Sequence, residues 1–393
     1  MEIEKRKDEN CQQYLWRVGS LKDAGVITQT WEELSPVLNE QTGITKRADV
    51  YRKEYAIAKK YLENVFLLPS VKTDSEIRAE VYKKQAQSKN VETNKWLREH
   101  ARDELILEEI KEAVKQLTPL PPPPVIQTPV KDKVGVLCFG DEHFGTQFTI
   151  YGLGGEVINE YNDTVFYSRM WELLSKVKAI ISDNELSDLY VFNFGDFVDG
   201  ILRASQLLKL QFGLVESTVK YAEFLCVWLD DLSRSVRIHF QMTPGNHTEL
   251  RLIGQPKGTF KNENMDIVVK AFVKARLADN PNFYFTENRT NYIYEDIFGY
   301  KILGIHGEVS STSTVVRDFS MTYNVKINYL LAGHKHHKIS EECGIDTEFI
   351  GVPSIIGVDP YAMSLNFSSN PAATLLLFED GAGLTTQYYL KLK

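Results

Sequence analysis

The chain has 393 residues, 43% of them hydrophobic and 25% charged, with a formal net charge of −8 at pH 7, a composition typical of a globular protein with room for two or three domains. No apolar stretch approaches the ~20 residues needed to span a bilayer, and the N-terminus lacks the apolar segment of a signal peptide. The four cysteines have no paired spacing, so the sequence predicts a cytoplasmic protein with reduced thiols and no membrane contact.

Residues 1–70 are predicted to form a small all-helical domain. The apolar residues of its first helix recur at helical spacing and are Tyr14, Leu15, Val18 and Leu21. Thr30 and Glu33 fit a capping box, which predicts the start of a second helix that ends near Gly43. A third helix follows, and its predicted apolar face consists of Tyr51, Tyr55, Ala58 and Leu62.

The third helix of this domain is basic. Six basic residues lie between Lys46 and Lys60, against two acidic ones. Three short helices of which the third is basic are typical of a helix-turn-helix module that binds DNA. The residues predicted to contact DNA are Arg52, Lys53, Lys59 and Lys60. Two other interpretations stay open, because a charged helix flank is often only a solvated face and small trihelical units also bind proteins.

Residues 71–131 are predicted to connect this domain to the rest of the chain. The stretch 74–117 is highly charged and poor in glycine and proline, which indicates one or two helices. The four consecutive prolines from Pro121 to Pro124 then favour polyproline II, which makes a stiff spacer rather than a flexible tether. The sequence therefore predicts a domain boundary at this segment.

The third predicted domain, residues 132–393, contains five short polar signatures, each directly after an apolar run. In chain order they are Gly140-Asp141-Glu142-His143, Gly195-Asp196 with Asp199, Gly245-Asn246-His247, His306-Gly307 and Gly333-His334-Lys335-His336. An apolar run that ends abruptly in Gly plus Asp, Asn or His is typical of a buried strand with a polar side chain at its carboxyl end. Ligands bind at that end in open α/β sheets, so these side chains form a candidate site.

The side chains of the five signatures suit divalent transition metals. They offer carboxylates, one amide and imidazoles, and five of the eight histidines of the chain lie in them. The two imidazoles of His334 and His336 point the same way if this stretch is extended, because side chains repeat every two residues there. One such signature alone is more often a turn with a surface histidine. The ordered set of five is what favours a metal site.

These signatures resemble those of the calcineurin-like metallophosphoesterases, and among them the SbcD-type DNA repair nucleases and phosphoesterases encoded by bacteriophages. The resemblance covers roughly residues 134–393 and implies an α/β fold, a four-layer αββα sandwich, joined here to the small all-helical N-terminal domain. It implies one metal held by Asp141, His143, Asp196 and His336. It implies a second metal held by Asp196, Asn246, His306 and His334, with Asp196 bridging the two ions. The ions are commonly manganese, iron or zinc, with manganese expected here.

The chemistry of such a site explains these residue types. Two cations about 3.5 to 4 Å apart polarise a phosphoryl group and lower the pKa of a water, so that a metal-activated hydroxide is available near neutral pH. By resemblance, His247 is the general acid that protonates the leaving oxygen, and Asp199 is the carboxylate that orients it. The chain departs from many family members at Thr248-Glu249, where they carry Asp after Asn-His, and Glu249 receives no catalytic role.

Between the signatures, helices are predicted near 164–182, 207–232 and 265–278, and closing strands at 348–352, 374–378 and 386–390. The glycine-rich stretch 151–156 has the wrong spacing for a nucleotide-binding loop and is predicted to be a hairpin or loop near the metal site. Three basic residues that follow the second and third signatures are candidate phosphate clamps: Arg203, Arg251 and Lys257.

The sequence favours a DNA nuclease, of the repair or recombination exonuclease kind, over two alternatives. One alternative is a phosphatase or phosphodiesterase for a small molecule, cyclic nucleotide or phosphoprotein, and the other is a non-catalytic DNA-binding protein on a phosphoesterase scaffold. Residues 1–130 carry 21 basic and 21 acidic residues, whereas residues 131–393 carry 24 basic and 32 acidic, so the catalytic domain does not present an extended basic surface. The resemblance also implies DNA as a partner, a homo-oligomer and a separate ATPase partner.

Overall fold

The computed structural model describes residues 3–66, 83–85, 87, 104–127, 131–200, 209–249, 263–287, 290–309 and 311–393. The chain divides into two compact units, Met1–His100 and Ala101–Lys393. Among the described residues, no helix combines the length and the apolar character that crossing a membrane requires.

The described residues of the first unit form three complete helices, α1 (Cys11–Asp23), α2 (Trp31–Thr42) and α3 (Ala48–Tyr61), and a π-helical turn, Leu62–Phe66. Residues 83–85 and 87 are also helical. The core of this unit lies between the three helices and consists of Tyr14, Leu15, Val18, Ile27, Leu34, Leu38, Tyr51 and Tyr55. The predicted capping box is confirmed, because the Thr30 hydroxyl accepts from the Glu33 backbone while the Glu33 carboxylate accepts from the Thr30 backbone. Gly43 ends α2 in the left-handed conformation.

The apolar face of α3 is narrower than the sequence predicted. Tyr51 and Tyr55 are buried, but Ala58 is exposed and Leu62 is 37% exposed. The core of this unit ends at Tyr55, whose ring packs beside Trp16 and Trp31 with centroid distances of 5.4 and 5.9 Å. The last turns of α3 therefore lie beyond the partners that would bury them.

In the second unit, the residues that the structure describes form thirteen strands and six helices. The strands are β1 (Lys133–Phe139), β2 (Phe148–Tyr151), β3 (Val157–Tyr161), β4 (Asp188–Asn193), β5 (Arg237–Met242), β6 (Phe283–Phe285), β7 (Ile293–Ile297), β8 (Tyr300–Ile305), β9 (Tyr329–Ala332), β10 (Ile339–Gly344), β11 (Thr347–Gly351), β12 (Ala372–Glu379) and β13 (Gly383–Lys391). The helices are α4 (104–116), α5 (Asp163–Asp183), α6 (Leu214–Ser233), α7 (Asp266–Arg276), α8 (Thr312–Tyr323) and α9 (Pro360–Ser364).

Two sheets are stacked in this unit. The first has the order β13-β12-β1-β4-β5-β6, in which β1, β4, β5 and β6 run parallel. The second has the order β10-β11-β9-β8-β7, in which β11, β9 and β8 run parallel. A separate hairpin pairs β2 with β3. The stretch 151–156, predicted as a hairpin or loop, is the turn of this hairpin.

The side chains of β1 show why the central strands appear in the sequence as unbroken apolar runs. Leu137 and Phe139 pack in a core shared with α5, α6 and α7, whereas Val136 and Cys138 pack in the core between the two sheets. A third core lies between the second sheet and α8, where Leu330 of β9 meets the apolar residues of the helix. The layers are therefore helix, sheet, sheet and helix, and the predicted four-layer αββα sandwich is confirmed.

The proline-rich segment is bound to the second unit, where the sequence predicted a spacer. Val114 of α4 is buried in the core of this unit. Asn282 donates to the carbonyl of Pro124 at 2.7 Å and accepts from the backbone of Ile126 at 3.1 Å, and Arg234 donates to the carbonyl of Pro121 at 2.6 Å. Proline carbonyls lack helix or sheet partners, so they are open to side-chain donors. Residues 104–127 thus form part of this unit, and the domain limits elsewhere in 71–131 stay predictions.

Candidate metal centre

The five signatures lie at the carboxyl ends of parallel strands in both sheets. On the first sheet, Asp141 follows β1, Asp196 follows β4 and Asn246 follows β5, three neighbouring parallel strands. On the second sheet, His306 follows β8 and His334 follows its parallel neighbour β9. Because the sheets are stacked, these strand ends meet and the predicted ligands converge from five separate parts of the chain.

The backbone is left-handed at five of the predicted ligands. Ten described residues other than glycine have a positive φ, and five of them are predicted ligands: Asp141 (50°), His143 (46°), Asp196 (51°), His334 (66°) and His336 (59°). Residues with a Cβ disfavour this conformation, and such strain concentrates at functional sites. The turns after the strands are held in this geometry by the surrounding fold, which aims the ligand side chains at one cleft.

Two glycines permit the close approach of the turns after β4 and β5. Gly195 has a φ of 81°, and a Cβ there would lie 2.7 Å from the backbone nitrogen of Gly245. A Cβ on Gly245 would lie 2.0 Å from Oδ1 of Asp196. A side chain at either position would therefore force the Asp196 turn away from its neighbour.

Asp141, His143 and His336 form the first group of candidate ligands. One ligand atom of each lies within 4.8 Å of the others, and Nε2 of His336 lies 3.4 Å from Oδ1 of Asp141. Asp196, the fourth predicted ligand of the same ion, lies within 4.8 Å of His143 in a further group that includes His247. The structure therefore brings together the four residues that the resemblance assigned to one metal.

Asp196, His306 and His334 form the second group, again within 4.8 Å of one another. Nε2 of His306 lies 3.0 Å from both Oδ2 of Asp196 and Oδ1 of Asn246. Nδ1 of His306 donates to the carbonyl of Phe194 at 2.6 Å, so Nε2 is the nitrogen that faces the ligands. Asp196 belongs to both groups, which is the position that a carboxylate bridging two ions needs.

The first group leaves two polar atoms without hydrogen-bond partners, Oδ1 of Asp141 and Nε2 of His143, and both are buried. Such atoms are rare because an unpaired buried polar group costs free energy, and a divalent cation would satisfy both. Carboxylate oxygens and imidazole nitrogens together suit manganese, iron or zinc. The residues present therefore fit the two metal ions that the sequence predicted.

The charges of this centre are balanced by protons on histidines. Burial opposes ionisation of Asp196, but the charges of His306 and His247 outweigh that effect and hold its pKa well below the ordinary value. Burial likewise opposes protonation of His306, but the charge of Asp196 raises its pKa to about 10. At His334, burial and the charge of His306 lower the pKa. A cation must displace the proton of His306, because only the neutral imidazole coordinates a metal.

His247 and Asp199 form a hydrogen-bonded pair beside the two groups. Nδ1 of His247 donates to Oδ1 of Asp199 at 2.6 Å, and its backbone N–H donates to Oδ1 of Asp196 at 2.7 Å. Burial opposes protonation of His247, but the charge of Asp196 and the bond to Asp199 raise its pKa. Asp199 therefore lies where the sequence predicted a carboxylate that orients His247.

Sequence analysis missed a buried polar network behind the ligands. Oε1 of Glu142 accepts from the Tyr221 hydroxyl at 2.6 Å and from Nδ2 of Asn193 at 2.7 Å. Oδ1 of Asn193 in turn accepts from the backbone of Gly195 at 2.9 Å, so the turns after β1 and β4 are joined. The sequence contained a signal for Asn193, because it is a polar residue at the end of an apolar run. It contained no such signal for Tyr221.

The chain departs from the common family pattern at Thr248, in the turn after β5. Oγ1 of Thr248 accepts from the backbone N–H of Gly245 at 3.1 Å and donates to its carbonyl at 3.0 Å. The residue therefore closes the turn that carries Asn246 and His247. The three predicted phosphate clamps, Arg203, Arg251 and Lys257, lie outside the described residues and stay predictions.

The residues predicted to bind DNA lie on α3 in different surroundings. Nζ of Lys59 lies 2.6 Å from Oδ2 of Asp23, so this lysine is engaged within the first unit. Nζ of Lys53 lies 3.9 Å from an aspartate one turn earlier. Arg52 and Lys60 are exposed, and neither has an ion pair among the residues that the structure describes. Only these two present a charge that no neighbour balances.

The four-layer sandwich and its convergent candidate ligands have the arrangement that the resemblance to metallophosphoesterases implies. Over 406 aligned residues the chain is 30% identical to the SPbeta prophage-derived uncharacterized protein YonJ of Bacillus subtilis (strain 168), and the match covers 99% of this chain and 98% of the relative. The chain therefore belongs to the YonJ family. The YonJ N-terminal domain matches residues 1–65, and the YonJ coiled-coil domain matches residues 73–117. The prophage source of the relative agrees with the resemblance to phage-encoded phosphoesterases.

Solved structures resemble the chain only distantly. A dimetal phosphatase from Danio rerio is 8% identical with a TM-score of 0.34, and it matches 66% of this chain and 99% of its own. Vps29 from Entamoeba histolytica, complexed with zinc, is 11% identical with a TM-score of 0.30, and it matches 65% of this chain and 98% of its own. A predicted phosphoesterase from Streptococcus pneumoniae TIGR4 is 11% identical with a TM-score of 0.27, and it matches 65% of this chain and 98% of its own. Likenesses this weak support no conclusion about substrate.

Proposed function

We propose that this protein is a two-metal-dependent phosphodiesterase that hydrolyses DNA. The observation that carries the proposal is the buried ligand cluster, in which Oδ1 of Asp141 and Nε2 of His143 lack hydrogen-bond partners beside the His247–Asp199 pair. A cluster that served only the fold would satisfy its own polar atoms. Unsatisfied ligands next to an oriented histidine are expected of a site that takes up metal ions and performs acid–base chemistry.

The proposed metals are two divalent cations, with manganese favoured. When bound, they would polarise a phosphoryl oxygen and supply a water of lowered pKa, which removes the need for a protein nucleophile. Their ligands would be Asp141, His143, Asp196 and His336 for one ion and Asp196, Asn246, His306 and His334 for the other. The chain itself holds these side chains in place through strained turns and the network of Glu142.

His247 is the proposed general acid. Its Nδ1 is held by Asp199, and its backbone N–H is held by Asp196, so the ring is fixed beside the ligand cluster. The raised pKa favours the protonated form of the ring, and Nε2 is the position from which a proton can pass to the leaving oxygen. Asp199 acts through this ring and stabilises its charged form.

Three observations support DNA as the substrate. Arg52 and Lys60 present unbalanced charge on α3, as a phosphate-binding helix would. The five signatures resemble those of SbcD-type nucleases. The relative with 30% identity is encoded by a prophage, a setting in which DNA is an abundant phosphodiester.

A second candidate function is a phosphodiesterase for a small molecule. Residues 131–393 carry 24 basic and 32 acidic residues, and an acidic surface repels a long polyanion more than a single phosphodiester. The metal ions would still make the cleft itself positive. The ligand cluster is compatible with both substrates, so the surface charge is the feature that separates them.

A substrate panel with the purified full chain tests the proposal. Single-stranded DNA, double-stranded DNA, RNA and an aryl phosphodiester would be incubated with manganese, with zinc or with chelator. We expect manganese-dependent degradation of DNA and no degradation in chelator. Turnover of the aryl phosphodiester with none of any nucleic acid would replace DNA by a small-molecule substrate.

The role of α3 has its own test. The double substitution Arg52→Glu and Lys60→Glu should weaken DNA binding and lower the slope of log Kd against log salt, because phosphate contacts release counterions. Lys59→Glu is not a neutral control, since it breaks the pair with Asp23. Glu40→Lys on α2 changes charge at an exposed position and is the better control. Equal affinity of the double variant and the wild type would assign the first unit to another role.

A further inference from the structure

A short segment beside the metal centre exposes four large apolar side chains. It follows Asp359 and includes α9, and its exposed residues are Tyr361 (52%), Met363 (39%), Leu365 (48%) and Phe367 (58%). They lie within seven residues of the chain, two of them in α9 and two directly after it. Scattered exposed apolar residues are ordinary, but a concentrated patch indicates a binding surface.

This segment is tied to the metal ligands on two sides. The ring of Phe367 is parallel to that of His337, with 6.4 Å between centroids and 15° between planes, and His337 directly follows the ligand His336. The backbone of Ile356 donates to the carbonyl of Asp141 at 3.3 Å, just before the segment begins. The exposed ring of Phe367 is therefore held beside His337, which follows the predicted ligand His336 in the chain.

The charge around the stack suits an anion. Lys335 and Lys338 are exposed and flank the two histidines, so the order along the chain is lysine, histidine, histidine, lysine. Basic residues interleaved with aromatic rings are the composition that binds single-stranded nucleic acid, in which the rings take the bases and the cations take the phosphates. A duplex offers no free base face, so this arrangement favours an unpaired strand.

We propose that Phe367, stacked on His337, is the platform for an unpaired nucleobase of single-stranded DNA whose phosphodiester lies at the metal centre. The inference rests on the proposed nuclease function and adds to it that the reacting strand is unpaired. The Phe367 ring lies parallel to that of His337, and the base stacks on the exposed part of the Phe367 ring. Phe367 is a binding residue and takes no part in proton transfer.

The chain contains a matched stack far from the ligands. Tyr284 of β6 is 47% exposed and lies parallel to His239, with 5.2 Å between centroids and 15° between planes. His239 lies four residues before Thr243, or about 13 Å along β5 from the end that carries the ligands. Tyr284→Ala removes an exposed ring of the same kind without touching the proposed platform, which makes it the control variant.

Binding is measured with a single-stranded 12-nucleotide DNA in manganese, by fluorescence anisotropy, on a His247→Ala background that slows hydrolysis. Phe367→Ala should raise Kd about tenfold, since one stacked base contributes roughly that much. Phe367→Tyr should restore binding because the plane is kept, whereas Phe367→Leu should not. Tyr284→Ala should leave Kd unchanged, and manganese affinity should be equal in all four variants.

An oligonucleotide series identifies the base that stacks. An abasic nucleotide is moved along the strand, and at one position it should weaken binding to the Phe367-containing protein but not to Phe367→Ala. If the abasic nucleotide caused the same loss of affinity in the Phe367-containing protein and in Phe367→Ala at every position, the proposal that Phe367 stacks on a base would be overturned. A Kd insensitive to Phe367→Ala, together with a change from dimer to monomer in sedimentation, would also overturn it and assign the patch to self-association.

The proposed function and the platform fail separately. Degradation of DNA by the wild type with no dependence of Kd on Phe367 would overturn the platform and leave the nuclease standing. Dependence of Kd on Phe367 without degradation of any nucleic acid would support the platform and overturn the nuclease.

Discussion

Two buried carboxylate clusters lie at opposite ends of the same parallel strands, and they differ in how their charge is balanced. At the amino end of β4, Asp188 is 3% exposed and pairs with Arg237 at 2.6 Å and with His239 at 3.0 Å. At the carboxyl end, Asp141 is fully buried beside Asp196 and has imidazoles as its positive neighbours. The charge of Asp188 is balanced by a permanent cation, whereas the charge of Asp141 is balanced by exchangeable protons on imidazoles.

This difference distinguishes the structural cluster around Asp188 from the functional cluster around Asp141, although both contain aspartate and histidine. Arg237 keeps its charge at any ordinary pH, so the Asp188 cluster is satisfied by the chain itself. The imidazoles around Asp141 can lose their protons, and Oδ1 of Asp141 has no hydrogen bond. The second cluster therefore has a place for an external cation, and the first does not.

The largest expected effect is the loss of Asp196. Asp196→Ala removes a carboxylate that belongs to both ligand groups, so metal-dependent hydrolysis should fall by about 10³-fold or more. Metal content by mass spectrometry and kcat on the best substrate of the panel check this. Asp188→Asn, its counterpart at the other end of β4, should keep both values near wild type. Equal activity losses in the two variants would remove the distinction between the clusters.

Asp188 should instead matter for stability. Asp188→Ala removes the carboxylate that pairs with the mostly buried guanidinium of Arg237, so the free energy of unfolding should fall by about 3 kcal/mol. Burial opposes ionisation of Asp188, but bonds from His239, Arg237 and Ser187 outweigh it and hold its pKa well below the ordinary value.

The pH dependence of this effect has a defined sign. Because folding lowers the pKa of Asp188, its stabilisation is present above the unfolded value of about 3.9 and is lost as pH falls below it. Urea unfolding at pH 7 and at pH 3 should therefore show a smaller difference between the wild type and Asp188→Ala at the lower pH. A difference that did not shrink would assign the loss to packing.

His247→Ala should slow turnover by at least about tenfold and leave metal binding intact, because His247 acts as the acid and is not assigned to either ion. Rates on a substrate with a good leaving group should suffer less, since little protonation is needed there. A variant that loses metal together with activity would show that His247 is a ligand.

The smallest expected effect for a change of one pH unit concerns metal affinity. The pKa of His306 is raised to about 10 without metal, so a cation must displace its proton below that pH. Affinity should therefore rise about tenfold per pH unit for each proton released. Calorimetry of manganese binding in two buffers with different ionisation enthalpies counts the protons. Affinity independent of pH between 6 and 9 would mean that His306 is already neutral before metal binds.

Several features could be predicted because they depend on local sequence. The capping box of Thr30 needs only two side chains three residues apart, and the strand runs before Asp141 and Asp196 needed only apolar continuity. Other elements carried no local signal. Strands β6, β7 and β10 are short or half-exposed, and α8 has no buried residue, so their patterns were too weak to predict. The docking of 118–126 depends on Asn282, more than 150 residues away.

By itself the sequence predicted the fold of the second unit and the candidate ligands that converge there, because those residues follow apolar runs in a recurring order. Only the tertiary structure decided which polar atoms stay unsatisfied and which lysines of α3 are already paired. These properties depend on distances between residues that are remote in the chain. Local sequence patterns carry no information on such distances, because the distances are set when the two sheets stack and bring five strand ends together.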